Sequence, residues 1–122
     1  MLLRQLATFL FRYALLASVF FVSTGAHAQV TFLTGRDLLG ECANRGDRGS
    51  TAAGVCVGYT TAIADSLARG PVWSWRACLN EGISSTQIAR VARLYMETHP
   101  QDLDYPAAQV VARALNEAFP CR

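Results

Sequence analysis

Apolar residues recur at three- and four-residue steps in four stretches of the chain and alternate nowhere over any length. That spacing predicts helices and argues against strands. In the first stretch, Leu38, Leu39 and Cys42 supply the apolar face of a helix starting at Thr34. Thr34-Gly35-Arg36-Asp37 has the order of a capping box, and Asp37 suits the positive end of a helix. The run Asn44 to Gly49 (NRGDRG) is turn chemistry and ends this element. A second helix is predicted from Ser50 or Thr51 to about Arg69. Cys56, Tyr59 or Thr60, Ile63 and Leu67 mark its buried face, and Val55 and Ala62 widen that face. Gly54 and Gly58 lie one turn apart inside it, each costing up to about 1 kcal/mol relative to Ala. Close approach of another helix backbone is the expected compensation. Gly70-Pro71 terminates the segment.

Val72 to Ile83 (VWSWRACLNEGI) reads as a loop closing in the turn Asn80-Glu81-Gly82. Ser84-Ser85-Thr86-Gln87 is a second capping box and opens a third helix. Ile88, Val91, Ala92 and Tyr95 share one face of it, with Arg90, Arg93 and Glu97 elsewhere, and His99-Pro100 closes it. A mostly polar connection follows, Gln101 to Asp104. Pro106 stands where a first-turn proline belongs. It opens a fourth helix with Ala107, Val110, Val111, Ala114, Leu115 and Ala118 at helical spacing, ended by Phe119-Pro120-Cys121. Val30 to Leu33 reads as an extended arm. The pattern predicts an all-α fold, one small four-helix domain, without repeats or linkers.

The N-terminus changes how composition is read. Arg4 and Arg12 precede an apolar run from Tyr13 to Val22, and Ala26-His27-Ala28 fits the small-x-small cleavage rule. Residues 1–28 are therefore expected to be a removable signal peptide, and the apolar run is too short for a bilayer span. Cleavage would leave Gln29–Arg122, 94 residues, as residues 29–122 of a single domain. All 11 basic residues are arginine, and two leave with the leader. Nine remain against nine carboxylates, so the mature chain is neutral at pH 7. Neutrality speaks against nucleic-acid or anionic-membrane partners, which need a basic excess.

Cys42, Cys56, Cys78 and Cys121 all lie beyond the leader. Exported cysteines in even number predict two disulfides. Up-and-down helix topology favours Cys42–Cys56 with Cys78–Cys121 among the three pairings, and sequence alone leaves the others open. A zinc site is disfavoured, because no C-x-x-C occurs and the mature chain has a single histidine. No metal and no cofactor are expected.

Searching for chemistry yields little that is catalytic. His99 sits at a helix end with no Ser or Cys partner at a recognisable spacing. No phosphate-cradling glycine loop, HExxH or GxSxG is present. Asp102 and Asp104 form a carboxylate pair in a polar turn and are expected to be solvated. Asp65, late in the second helix, is expected to pair with an arginine. Trp73-Ser74-Trp75-Arg76 carries residue types enriched at interface hot spots. It serves either as a binding surface or, with its indoles folded back, as a cap on the core.

One ordered set of residues carries a resemblance. It begins Thr34-Gly35-x-Asp37-Leu38-Leu39-x-x-Cys42 and continues Cys56-x-Gly58-Tyr59-x-x-x-Ile63-x-Asp65-x-Leu67. Cys78 with Glu81-Gly82-Ile83 follows, then His99-Pro100-x-x-Leu103-x-x-Pro106-Ala107-Ala108. Ala114-Leu115-x-x-Ala118-Phe119-Pro120-Cys121 completes it. In that order the chain resembles the Rap/Tai immunity family, exported helical proteins that neutralise peptidoglycan amidases delivered by type VI secretion. Members usually carry a proline soon after the third cysteine, where this chain has Leu79-Asn80. The resemblance implies a periplasmic, often homodimeric inhibitor with no catalysis of its own, whose partner is a secreted amidase effector. Trp73, Trp75 and Arg76, or the turn bearing Asp102 and Asp104, would enter the target cleft. Two other classes fit the composition: a small periplasmic acid-stress chaperone, strongly positive once nine carboxylates protonate, and a structural envelope protein.

Overall fold

The computed structural model describes residues 31–43 and 51–122. The expected signal peptide and the turn at 44–49 lie outside the described residues. Among the described residues four helices form: α1 (Gly35–Ala43), α2 (Thr51–Arg69), α3 (Ser85–Thr98) and α4 (Ala107–Ala118). A short 3-10 turn, Pro100–Asp102, joins α3 to the approach to α4. Among the described residues there is no strand, only the isolated bridges Thr34–Pro106 and Val72–Trp75. The fold is all-α, as the spacing predicts.

Both capping boxes form as the sequence dictates. The Thr34 backbone N–H and hydroxyl donate to Asp37 Oδ2 at 2.9 and 2.7 Å, and the Asp37 N–H donates back to Thr34 Oγ1. The Thr34 hydroxyl and backbone bonds, more than the nearby Arg36 charge, hold the Asp37 carboxyl below its ordinary value. At α3 the Ser84 N–H donates to Gln87 Oε1 and the Gln87 N–H donates to Ser84 Oγ. Pro106 is the residue just before α4 rather than its first residue.

α4 is the centre of the domain. Ala107, Val110, Val111, Ala112, Ala114 and Leu115 are all buried, so the helix is covered through most of its circumference. Around it pack Leu38 of α1, Ala64 and Leu67 of α2, and Ile88, Ala92, Tyr95 and Met96 of α3. Each fully buried Leu, Val or Met contributes roughly 1.5–3 kcal/mol. α1 is fixed by its first turn. Gly35 and Arg36 donate their N–H groups to the carbonyls of Tyr105 and Leu103, and Ala107 donates to Leu33. A Cβ at Gly35 would meet the Leu103 Cα and Val110 Cγ2 at 3.1 Å, so a larger residue there would press on the Leu103 backbone.

The face of α2 differs from the expected one. Cys56, Thr60, Ala64 and Leu67 are buried, Tyr59 and Ile63 pack at the core edge, and Val55 and Ala62 face outward. Of the two residues the spacing admits, Thr60 takes the interior position, its hydroxyl satisfied within the helix by donating to the Cys56 carbonyl at 2.8 Å. No described atom lies within 4 Å of a Cβ built at Gly54 or Gly58. Among the described residues the expected backbone approach is therefore absent there, and packing along the opposite face carries their helical cost. Asp65 is exposed and makes no ion pair among the described residues, contrary to expectation.

Two disulfides brace the bundle. Cys42–Cys56 joins the end of α1 to the start of α2, and Cys78–Cys121 joins the inter-helix loop to the segment after α4. The Cα atoms are 5.0 Å apart in each, and no cysteine is free. Up-and-down topology selected the observed pairing.

Candidate functional site

Gly70-Pro71 stops α2, and the chain then folds into a two-residue turn. Val72 and Trp75 exchange both backbone hydrogen bonds at 3.0 Å, leaving Trp73 and Ser74 at the tip. Trp73 has φ +52°. Positive φ at the first tip position is the geometry that glycine normally supplies, so a bulky indole there stores backbone strain. Trp73 is half exposed, whereas Trp75 packs on the core. The two expectations for the tryptophans are thus divided between them: one is presented to solvent, the other caps the interior.

The loop after this turn is stitched to the far end of α4. Asn116 Nδ2 donates to the Arg76 carbonyl at 2.6 Å, and the Cys78 N–H donates to the Phe119 carbonyl at 2.9 Å. With the neighbouring disulfide, these bonds hold the chain on the C-terminal side of the Trp73 turn.

Arg113 of α4 connects this loop to the Gln101–Asp104 turn. Its guanidinium lies 5.6 Å from the centroid of the Trp75 ring, within cation–π range. Its Nη1 lies 3.1 Å from Asp102 Oδ2 and 3.3 Å from Oδ1, and its Nε is 3.5 Å from Glu117 Oε1. Asp102 also accepts the Tyr95 hydroxyl at 2.7 Å. Burial first, then the hydrogen bond to Asp102 and that carboxylate's charge, raise the Tyr95 phenol above its ordinary range.

The expectation that Asp102 is solvated is therefore corrected: it is 5% exposed. Pro100 starts a 3-10 turn that drives Leu103 into the core and carries Asp102 inward beside α4. Asp104 does face solvent, in an exposed pair with Arg36 at 2.9 Å. Such a pair contributes less than about 1 kcal/mol. Tyr105 beside it is half exposed.

His99 closes α3, with its N–H bonded to the Tyr95 carbonyl and its ring stacked on Tyr95 at 3.9 Å and 9°. Its Nδ1 is 2.9 Å from the same carbonyl. A carbonyl only accepts, so Nδ1 carries the proton in that contact. The histidine is thus engaged in ending the helix. Among the described residues no group of three or more His, Cys, Asp or Glu could hold a metal. Among the described residues no helix is long and apolar enough to cross a membrane.

Of the residues singled out in the sequence, Trp73, Trp75 and Arg76 share one rigid loop, and Trp75 and Asp102 meet through Arg113. Sequence reasoning missed Arg113 and Asn116 beside this loop and the buried Tyr95 beneath it. In the sequence Tyr95 shows only as a core position of α3. Nothing in the spacing pointed to Arg113, which lies 11 residues beyond Asp102 and 38 beyond Trp75.

The profile of Rap1a immunity proteins matches residues 34–121, from the α1 cap to the last cysteine. The chain belongs to this immunity protein family. The match covers every helix and both disulfides just described. Neither a curated protein nor a solved structure matches the chain. Membership of an immunity family implies binding to a cognate secreted effector and inhibition rather than catalysis.

Proposed function

We propose that this protein is a periplasmic immunity protein that binds a secreted peptidoglycan amidase and occludes its cleft. The exposed Trp73, held at positive φ on a turn anchored by Asn116 and Cys78, is the observation that carries the reading. A rigid aromatic anchor loses little conformational entropy on docking, and tryptophan with arginine is the usual hot-spot chemistry. Trp75 and Arg113 support the turn from below, so the anchor is pre-organised. The leader read in the sequence and the two disulfides support export to an oxidising compartment.

The test uses the mature chain, residues 29–122, with a purified candidate secreted amidase. Peptidoglycan hydrolysis should stop near equimolar inhibitor, and Trp73→Ala should restore it. Hydrolysis that continues at saturating excess of the wild-type protein would overturn the proposal. So would full inhibition by a Trp73→Ala variant, as regards the anchor.

A further inference from the structure

Arg69 and Arg76 line one open cavity of about 230 Å³ floored by Leu67, Ala77 and the Cys78–Cys121 disulfide. No carboxylate lines it. The ion pairs among the described residues use Arg36, Arg93 and Arg113, leaving both of these guanidiniums unpaired and exposed. Their backbones are fixed. Arg69 is the last residue of α2, with the following Gly70 N–H bonded to the Ser66 carbonyl, and Arg76 is held by Asn116.

Two arginines lining one cavity together with Leu67, Ala77 and a disulfide match a carboxylate on a short aliphatic stem. The planar forks take the oxygens, and the sulfurs and methyl groups take the methylenes. The volume falls below the roughly 300–1,000 Å³ of sites for drug-sized ligands and suits a single side chain. Arg76 directly follows Trp75 and lies three residues from Trp73, so the cavity continues the anchored turn. We infer that this cavity receives an acidic side chain of the protein partner, seated between Arg69 and Arg76 while Trp73 supplies the apolar contact. The nature of the occupant rests on the partner-binding reading above; the carboxylate chemistry does not.

The experiment has two arms. In the first, the Nε–Hε signals of Arg69 and Arg76 are followed by NMR during titration with three short peptides. One has a central glutamate and blocked ends, one glutamine at that place, and one glutamine with a free C-terminal carboxylate. The glutamate peptide should shift both signals together and saturably, with Arg90, also unpaired, as the unmoved comparison. The shifts should weaken at high salt and vanish in Arg69→Gln/Arg76→Gln, whose melting temperature checks the fold. Equal shifts with the blocked glutamine peptide, or none with glutamate, overturn the inference. Response to the terminal carboxylate alone overturns the side-chain assignment.

In the second arm, Arg69→Glu/Arg76→Glu is titrated against the amidase. At least a tenfold loss of affinity and a flatter salt dependence support the inference. Unchanged affinity overturns it while leaving the inhibitor reading intact. Glutamate binding in the first arm without amidase inhibition by wild type supports the cavity chemistry and removes the amidase as partner.

Discussion

Tyr95 donates its hydroxyl to Asp102 at 2.7 Å, and both side chains are buried. This bond spans the chain reversal between α3 and α4. It also sets the carboxylate against Arg113, which in turn stands over Trp75. The position of the Trp75 loop therefore depends on a phenol and a carboxylate that never reach the surface.

Removing either partner should weaken the fold unequally. Tyr95→Phe deletes one hydrogen bond and should cost about 1–2 kcal/mol in urea unfolding. Asp102→Ala also leaves Arg113 short of a partner and should cost about 2–3 kcal/mol, below a fully buried pair because Arg113 still reaches Glu117 and water. The double variant should fall short of the sum by about 1 kcal/mol. Strict additivity would show that the two residues are not coupled.

Alkaline stability should carry the signature of Tyr95. Its phenol is raised above the ordinary 10.0, chiefly by burial, and burial raises Tyr59 in the same direction. The unfolded chain then loses its tyrosine protons first as pH rises. Their contribution is complete below pH 10 and is lost progressively above it, toward the raised native values. Melting temperature should fall steeply above pH 10 in wild type and less steeply in Tyr95→Phe. Parallel curves for the two proteins would contradict this assignment.

The two disulfides should differ in worth. They separate their cysteines by 14 and 43 positions. Loop-closure entropy gives about 3 kcal/mol for the first and about 4 kcal/mol for the second. Paired Cys→Ser variants should order accordingly in thermal unfolding. Loss of Cys78–Cys121 should in addition speed amide exchange at Cys78, whose N–H bonds Phe119.

Trp73 should show stability and binding moving apart. Glycine accepts φ +52° without penalty and alanine does not. Trp73→Gly should therefore be more stable than Trp73→Ala by about 1 kcal/mol in denaturant unfolding. Both should bind the effector at least tenfold more weakly, as expected on removing a hot-spot indole. Alanine matching glycine in stability would show that the turn relaxes freely and stores no strain.

Much of the helical framework is readable along the chain because its determinants are local. Thr34 and Ser84 announce their helices through bonds to residues three positions on, and Gly70-Pro71 ends α2 by backbone chemistry alone. The burial of Asp102 is another matter. A carboxylate in Pro-Gln-Asp-Leu-Asp looks solvated until Arg113 is known to stand beside it. The same holds along α2, where periodicity admits both Tyr59 and Thr60, and only the packing of the neighbouring helices selects the threonine.

By itself the sequence determined four helices, the capping boxes of α1 and α3, and a cysteine set suited to two cross-links. Each of these depends on side chains and backbone within a turn or two of one another. Tertiary structure alone decided that α4 is the central helix, that Trp75 turns in while Trp73 turns out, and that Arg69 and Arg76 share one cavity. Those outcomes depend on which helices lie side by side, and that is settled by the joint burial of residues far apart in the chain.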